Sequence, residues 1–116
     1  NKLSIHYSFE GFDNITVSQD VHLTIYRIIQ EHLNNILKHA GAQNVFIEIK
    51  NTVQHLVLLI RDDGKGFDTE QKRRGIGITN MITRAENMNA RLYLHSSPGN
   101  GCLLKVVLPP LSICSN

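Results

Sequence analysis

Two aspartates and two glycines stand together after an apolar run, and their chemistry suits a ligand that touches the backbone. The run Asp62–Gly66 reads Asp-Asp-Gly-Lys-Gly and follows the apolar stretch 55–61. An ionised Asp62 only accepts hydrogen bonds, so it suits a ligand with an exocyclic amine, such as adenine. Gly64 and Gly66 permit a sharp turn and a close approach to a ring. Because Asp-Gly is also a common turn pair, a plain turn is the alternative.

A carboxylate, an amide and an ammonium form a second group. Glu31, Asn35 and Lys38 have spacings of four and three residues, which place them on one stripe of a helix beside its apolar face. The amide oxygen of Asn35 is a hard ligand suited to Mg²⁺. Lys38 supplies a point charge for a phosphate, and Glu31 suits a general base or a group that orients water. The alternative is an ordinary solvated helix face.

Two glycine pairs complete the set. Gly75 and Gly77 precede a predicted helix, where exposed backbone N–H groups could hold a phosphate. They lack the lysine and the spacing of a P-loop, so this signal is weak alone. Gly99 and Gly101 lie just before Cys102 and the last predicted strand, where a hairpin turn is the alternative.

The pattern of apolar residues predicts the elements that must position these groups. A helix begins after Ser18 or Asp20 and runs to about Ala40, with Gly41 as the glycine that ends it. A second helix covers residues 78–89. Strands are predicted at 3–9, 44–50, 55–61, 91–96 and 102–108. The order of strand, helix, two strands, helix and two strands predicts an α+β fold with helices layered on one sheet.

Composition limits the classes of function. The 116 residues suffice for one domain spanning 1–116, and the net charge of +2 offers little attraction for nucleic acid or a membrane surface. There is no apolar run of about 18 residues, the length that would span a membrane. Cys102 and Cys114 have no metal-binding spacing, and the six histidines form no compact cluster with Cys or Asp, so no zinc site is expected.

Taken in order, the four groups resemble the ATP-site boxes of the superfamily that joins DNA gyrase, heat-shock chaperones, MutL and sensor histidine kinases. The resemblance covers about residues 20–109. The run 30–40 looks like the N box of histidine kinases related to nitrate and lipid-fluidity sensors, and the run 74–86 looks like their short G2 region. The resemblance implies a two-layer α/β sandwich of the Bergerat type, with a mixed sheet, helices on one face and a short ATP lid at about 66–75.

The resemblance also implies roles on the helix and at the end of the predicted strand. Asn35 would coordinate Mg²⁺, Glu31 would assist proton transfer and Lys38 would approach a phosphate. Asp62 would bind the adenine amine. Cys102 stands where the last box usually has threonine, and a thiol is a weaker hydrogen-bonding group than the hydroxyl it replaces.

The glycines have implied roles as well. Some would shape the adenine end of the pocket, and others would place backbone N–H groups near the phosphates. The adenine-end glycines are Gly64, Gly66, Gly99 and Gly101, and the phosphate-end glycines are Gly75 and Gly77.

In the family, the γ-phosphoryl group passes to a histidine on a separate dimerisation domain and then to a response regulator. That acceptor is expected ahead of Asn1, on the view that the chain is a fragment, so little self-phosphorylation is expected. The resemblance implies a cytoplasmic domain, of a parent that a membrane anchor could hold, without nucleic-acid or membrane contacts of its own. Two alternatives stay open: a serine kinase of the anti-sigma-factor type and a degenerate interaction module that does not catalyse.

Overall fold

The computed structural model describes residues 3–13, 16–68 and 76–110. The strands and helices follow the predicted order, and the last two strands have the predicted bounds. The predicted α+β fold is confirmed. In chain order the elements are β1 (Ser4–Glu10), α1 (Gln19–Asn35), a π-helical turn (Ile36–Ala40), β2 (Asn44–Asn51), β3 (Leu56–Asp62), α2 (Ile76–Asn87), β4 (Arg91–Ser96) and β5 (Cys102–Leu108).

The strands form one mixed sheet in the order β1-β2-β3-β5-β4. β1 runs parallel to β2, and the other neighbouring strands are antiparallel. Along β3 and β5 every second residue is buried, as expected when one face of a strand packs on a core. This alternation places Asp62 on the same face as Leu58 and Ile60, and the register pairs Asp62 with Cys102 across the two strands.

Helix α1 packs Val21, Ile25 and Ile28 on the core and has well-defined ends. The Oγ of Ser18 accepts a hydrogen bond from the N–H of Val21 at 3.3 Å, so Ser18 is the N-cap. After Asn35 the chain widens into the π-helical turn, a feature common at functional sites. Gly41 then ends the helix with φ of +62° in the left-handed region, as predicted.

Helix α2 begins at Ile76, two residues before the predicted start at residue 78. Gly77 therefore lies in the first turn of α2 and not in the loop before it. Within the described ranges, no helix has the length and apolar character needed to cross a membrane.

Candidate functional site

A cavity of about 650 Å³ opens where the end of α1 meets the sheet. The π-helical turn forms one wall, the end of β3 and the start of β5 form the floor, and Ile78 of α2 contributes from the far side. The cavity is lined by Glu31, His32, Asn35, Ile36, Lys38, His39, Ala40, Asp62, Lys65, Gly66, Phe67, Ile78 and Cys102. Residues that are far apart in sequence thus meet in one place.

Asp62 is the buried carboxylate of this cavity. Its side chain is 5% exposed, and its Oδ1 accepts a hydrogen bond from the N–H of Gly64 at 2.8 Å. Its Oδ2 is buried and has no partner among the described residues. Burial raises the pKa of Asp62, the bond from Gly64 lowers it and the charge of Asp63 raises it. An unpartnered buried acceptor in a cavity is suited to a ligand that brings a donor.

The neighbouring Asp63 has a structural role. Its Oδ1 accepts hydrogen bonds from the N–H groups of Gln43 and Asn44, both at 2.9 Å, and its Oδ2 accepts one from Nδ2 of Asn44 at 2.9 Å. The hydrogen bonds from the backbone and side chain of Asn44 are the main reason that the pKa of Asp63 is lowered. Asp63 therefore ties the start of β2 to the end of β3, while Asp62 is left for the cavity.

The glycine-rich segments pack backbone against backbone behind the cavity. The N–H of Gly99 donates to the carbonyl of Lys65 at 2.5 Å, and the N–H of Lys65 donates to the carbonyl of Ala40 at 2.9 Å. A Cβ at Gly66 would overlap the carbonyl oxygen of Ser97. The loop after β3 is thereby clamped between the end of the π-helical turn and the β4–β5 turn.

Close packing of main chain also explains two of the other glycines predicted at the adenine end, Gly64 and Gly101. A Cβ at Gly64 would lie 2.5 Å from the carbonyl oxygen of Ala40, and one at Gly101 would overlap the backbone oxygen of Asp62. Among the described residues, Gly66 is the glycine that lines the cavity. Gly64 and Gly101 act from behind the wall by letting the chain approach, and Gly99 lies open within the turn.

The predicted helical stripe does border the cavity. Glu31, Asn35 and Lys38 all line it, with Glu31 and Asn35 half-buried and Lys38 exposed. Lys65, from the loop after β3, joins them on the wall. The cavity therefore combines a buried carboxylate with an amide, a second carboxylate and two ammonium groups nearer to solvent.

Gly75 falls outside the described residues, as do residues 69–75 of the predicted lid and Cys114. The described part of the predicted lid is 66–68, of which Gly66 and Phe67 line the cavity. Gly77 is described as a position in the first turn of α2.

His32 is a buried site residue that the sequence patterns did not single out. It is 3% exposed, and neither ring nitrogen has a hydrogen-bond partner among the described residues. Burial lowers the pKa of His32 to about 4, which leaves the imidazole neutral at pH 7. The helical spacing could have predicted its burial, because His32 lies four residues from both Ile28 and Ile36 on the buried side of the helix.

His32, Asp62 and Cys102 come together in the cavity. One ligand atom from each lies within 4.8 Å of the others, and all three residues are buried. The expectation that no histidine clusters with Cys or Asp is therefore wrong, because the strand pairing and the docking of α1 unite residues that are 30 and 40 positions apart. Burial first, and then the charge of Asp62, raise the pKa of the Cys102 thiol to about 12, against a lowering effect of Ser96.

Comparison with known proteins identifies the family. Residues 20–112 match the family described as histidine kinase-, DNA gyrase B- and HSP90-like ATPases. The chain belongs to this family, and within it the chain is homologous to sensor histidine kinases.

The relatives include sensor kinases of Brevibacillus and Staphylococcus species. The chain is 32% identical over 92 residues to the signal transduction histidine-protein kinase/phosphatase DegS of Brevibacillus brevis, which covers 78% of the chain and 24% of that kinase. It is 35% identical over 86 residues to the sensor protein VraS of Staphylococcus haemolyticus, covering 73% of the chain and 25% of that protein. The chain thus spans about a quarter of the length of these curated relatives.

Solved structures support the fold. The ATP binding domain of PrrB from Mycobacterium tuberculosis superposes with a TM-score of 0.73 at 19% identity, covering 93% of this chain and 80% of that one. The histidine kinase domain of the Erythrobacter litoralis EL346 blue-light activated kinase superposes with a TM-score of 0.72 at 19% identity, covering 95% and 52% respectively. The predicted mixed sheet with helices is therefore the histidine kinase ATP-binding fold.

Proposed function

We propose that the chain, as one domain over 1–116, is the catalytic ATP-binding domain of a two-component sensor kinase. It binds Mg-ATP and donates the γ-phosphoryl group to a histidine on the kinase's dimerisation domain, from which a response regulator takes it. The observation that carries the proposal is the unpartnered Oδ2 of Asp62, buried in a cavity that Asn35 and Lys38 also line. The sensor kinases among its relatives favour this function over a serine kinase of the anti-sigma-factor type.

The buried side of the cavity is assigned to adenine. Asp62 accepts the exocyclic amine of the base through Oδ2, while its Oδ1 stays bound to the N–H of Gly64. Phe67 and Ile78 supply apolar wall for the ring. Gly66 borders the base, and Gly64, Gly99 and Gly101 hold the supporting loops close enough to form the floor. Cys102, which pairs with Asp62 across β3 and β5, would line the adenine end of the cavity on β5.

The solvent side of the cavity is assigned to the phosphates. Asn35 offers a hard amide oxygen to Mg²⁺, which when bound neutralises phosphate charge. Lys38 approaches a phosphate, and Glu31 holds or moves a proton during transfer. Gly77, in the first turn of α2, and Gly75 before it are assigned backbone N–H contacts to phosphate, as suits a helix N-terminus.

We expect Asp62→Asn to weaken ADP binding by about 1–3 kcal/mol, the range for losing a charge-assisted hydrogen bond. The substitution keeps the shape of the side chain but removes the charge that accepts the adenine amine. Isothermal titration calorimetry with ADP and Mg²⁺ measures the change.

The matched control for this prediction is Asp63→Asn, one residue further along. Asp63 is exposed and bonded to Gln43 and Asn44, so its replacement should lower the free energy of unfolding and leave ADP affinity nearly unchanged. An unchanged affinity in folded Asp62→Asn protein would contradict the adenine assignment. Absence of ADP binding to folded wild-type protein would instead favour a degenerate interaction module.

We expect Asn35→Ala to weaken ADP binding only when Mg²⁺ is present. Loss of the amide ligand should reduce affinity by about tenfold or more, since even indirect partners of a bound metal contribute that much. Calorimetry with ADP in Mg²⁺ and in EDTA separates the two conditions. Asn34→Ala, at the exposed neighbouring position, is the control. Equal losses of affinity in Mg²⁺ and EDTA would show that Asn35 does not act through the metal.

A further inference from the structure

The cluster of His32, Asp62 and Cys102 has the composition of a metal site. Imidazole, carboxylate and thiolate are the three side-chain ligand types that Zn²⁺ takes in proteins. The three residues come from α1, β3 and β5, so separate rigid elements hold them. Their ligand atoms lie within 4.8 Å of one another, whereas ligand atoms around a tetrahedral zinc ion lie roughly 3.5 Å apart. Side-chain rotations that move these ligand atoms by about an ångström close that gap.

Unsatisfied atoms point to a ligand here. Neither ring nitrogen of His32 has a hydrogen-bond partner among the described residues, and neither does Oδ2 of Asp62, although both residues are at least nine-tenths buried. Buried polar groups in native proteins almost always have partners, so these atoms call for one. A water molecule would satisfy some of them. A cation would engage His32, Asp62 and Cys102 together.

We propose that His32, Asp62 and Cys102 form a three-ligand site for a thiophilic divalent cation of the Zn²⁺ class, with the fourth position open to the cavity. The thiolate favours Zn²⁺ over the Mg²⁺ that accompanies ATP, since Mg²⁺ prefers oxygen ligands. Oδ2 of Asp62 serves as the carboxylate ligand because Oδ1 is bound to Gly64. On binding, the thiol proton of Cys102 leaves to solvent as the sulfur–metal bond forms. The imidazole of His32 is already neutral and loses no proton when it binds the metal ion.

The site has a consequence for nucleotide binding, which rests on the proposed function. Adenine and the metal ion both use Oδ2 of Asp62, so they compete for that atom. Zn²⁺ would thus act as an inhibitor at the adenine end, separate from the Mg²⁺ at Asn35.

Titration with Co²⁺ tests the site, because a cobalt–thiolate bond gives a charge-transfer absorption band in the near ultraviolet. The wild-type chain is titrated without thiol reductant alongside Cys102→Ser, His32→Leu and the control Cys114→Ser. We expect the band in the wild type and in Cys114→Ser, with displacement of Co²⁺ by Zn²⁺. The band should vanish in Cys102→Ser, and Co²⁺ affinity should fall by more than about tenfold in His32→Leu.

The proposal is overturned if folded wild-type protein gives no band, or if the band depends on Cys114 and not on Cys102. Adenosine, which has no phosphate to chelate the metal, should reduce the band, and a band indifferent to saturating adenosine would refute the shared use of Asp62. Calorimetry with ADP and Mg²⁺, free of Co²⁺, reports separately on the proposed function. A cobalt band without ADP binding would leave the metal site standing and remove the kinase assignment.

Discussion

Gly101→Ala is expected to lower the free energy of unfolding by about 2–5 kcal/mol, the largest effect predicted here for a single methyl group. Two causes add. Gly101 has φ of +66°, a left-handed conformation that strains any residue with a Cβ, and the new methyl group would overlap the backbone oxygen of Asp62. Because the backbone fixes the position of a Cβ and the oxygen of Asp62 belongs to packed main chain, the overlap can be relieved only by moving the end of β3 away from the start of β5.

Gly99→Ala provides the matched control for Gly101→Ala. Gly99 has φ of +85°, but nothing lies within 4 Å of the position its Cβ would take. Gly99→Ala should therefore lower the free energy of unfolding only through the strained backbone conformation, by about 1–3 kcal/mol. Urea denaturation of the wild type and the two variants measures the difference. Equal losses would mean that the contact between Gly101 and Asp62 contributes nothing.

The same comparison has a functional side. The strand shift that relieves the overlap in Gly101→Ala also moves Asp62, so ADP affinity should fall in the fraction of protein that remains folded. Gly99→Ala leaves the end of β3 in place and should bind ADP as the wild type does.

His32 should make the protein sensitive to mild acid. Its pKa lies at about 4 in the folded state, below the ordinary value of 6.5, because burial disfavours the imidazolium. Between these two pH values the unfolded chain binds more protons than the folded one, so the free energy of unfolding falls as pH drops and levels off below about 4. At 1.36 kcal/mol for each pKa unit, the loss attributable to His32 is about 3 kcal/mol.

His32→Leu should remove this loss. Leucine has no proton to bind and no unpartnered nitrogen to bury, so the variant should be more stable than the wild type at every pH below 6.5. Asp62 and Cys102 face His32 in the cavity and are present in both proteins. Urea denaturation at a series of pH values from 4 to 7 gives the two curves.

The control is His22→Leu, at an exposed position on the same helix, which keeps His32. Its curve should retain the acid sensitivity of the wild type. Parallel curves for the wild type and His32→Leu would show that the buried imidazole is not the source of the sensitivity.

Local patterns in the sequence were enough to predict the helices and strands and much of the candidate site. The alternation of apolar residues gave β4 and β5 their bounds, and helical spacing with Gly41 gave the long helix its end. Glu31, Asn35 and Lys38 share a stripe because their spacing follows the helical period, and the structure places that stripe on the cavity. These features depend on residues within a few positions of one another, and the chain specifies them directly.

Contacts between distant segments decided the rest. The two adjacent aspartates differ in role because Asp63 meets the start of β2 while Asp62 faces the cavity. The need for glycine at 66 and 101 comes from main chain more than 30 positions away in each case. His32 joins Asp62 and Cys102 through the docking of α1 and the register of β3 with β5. Such proximity depends on how elements pack, and no local period along the chain encodes it.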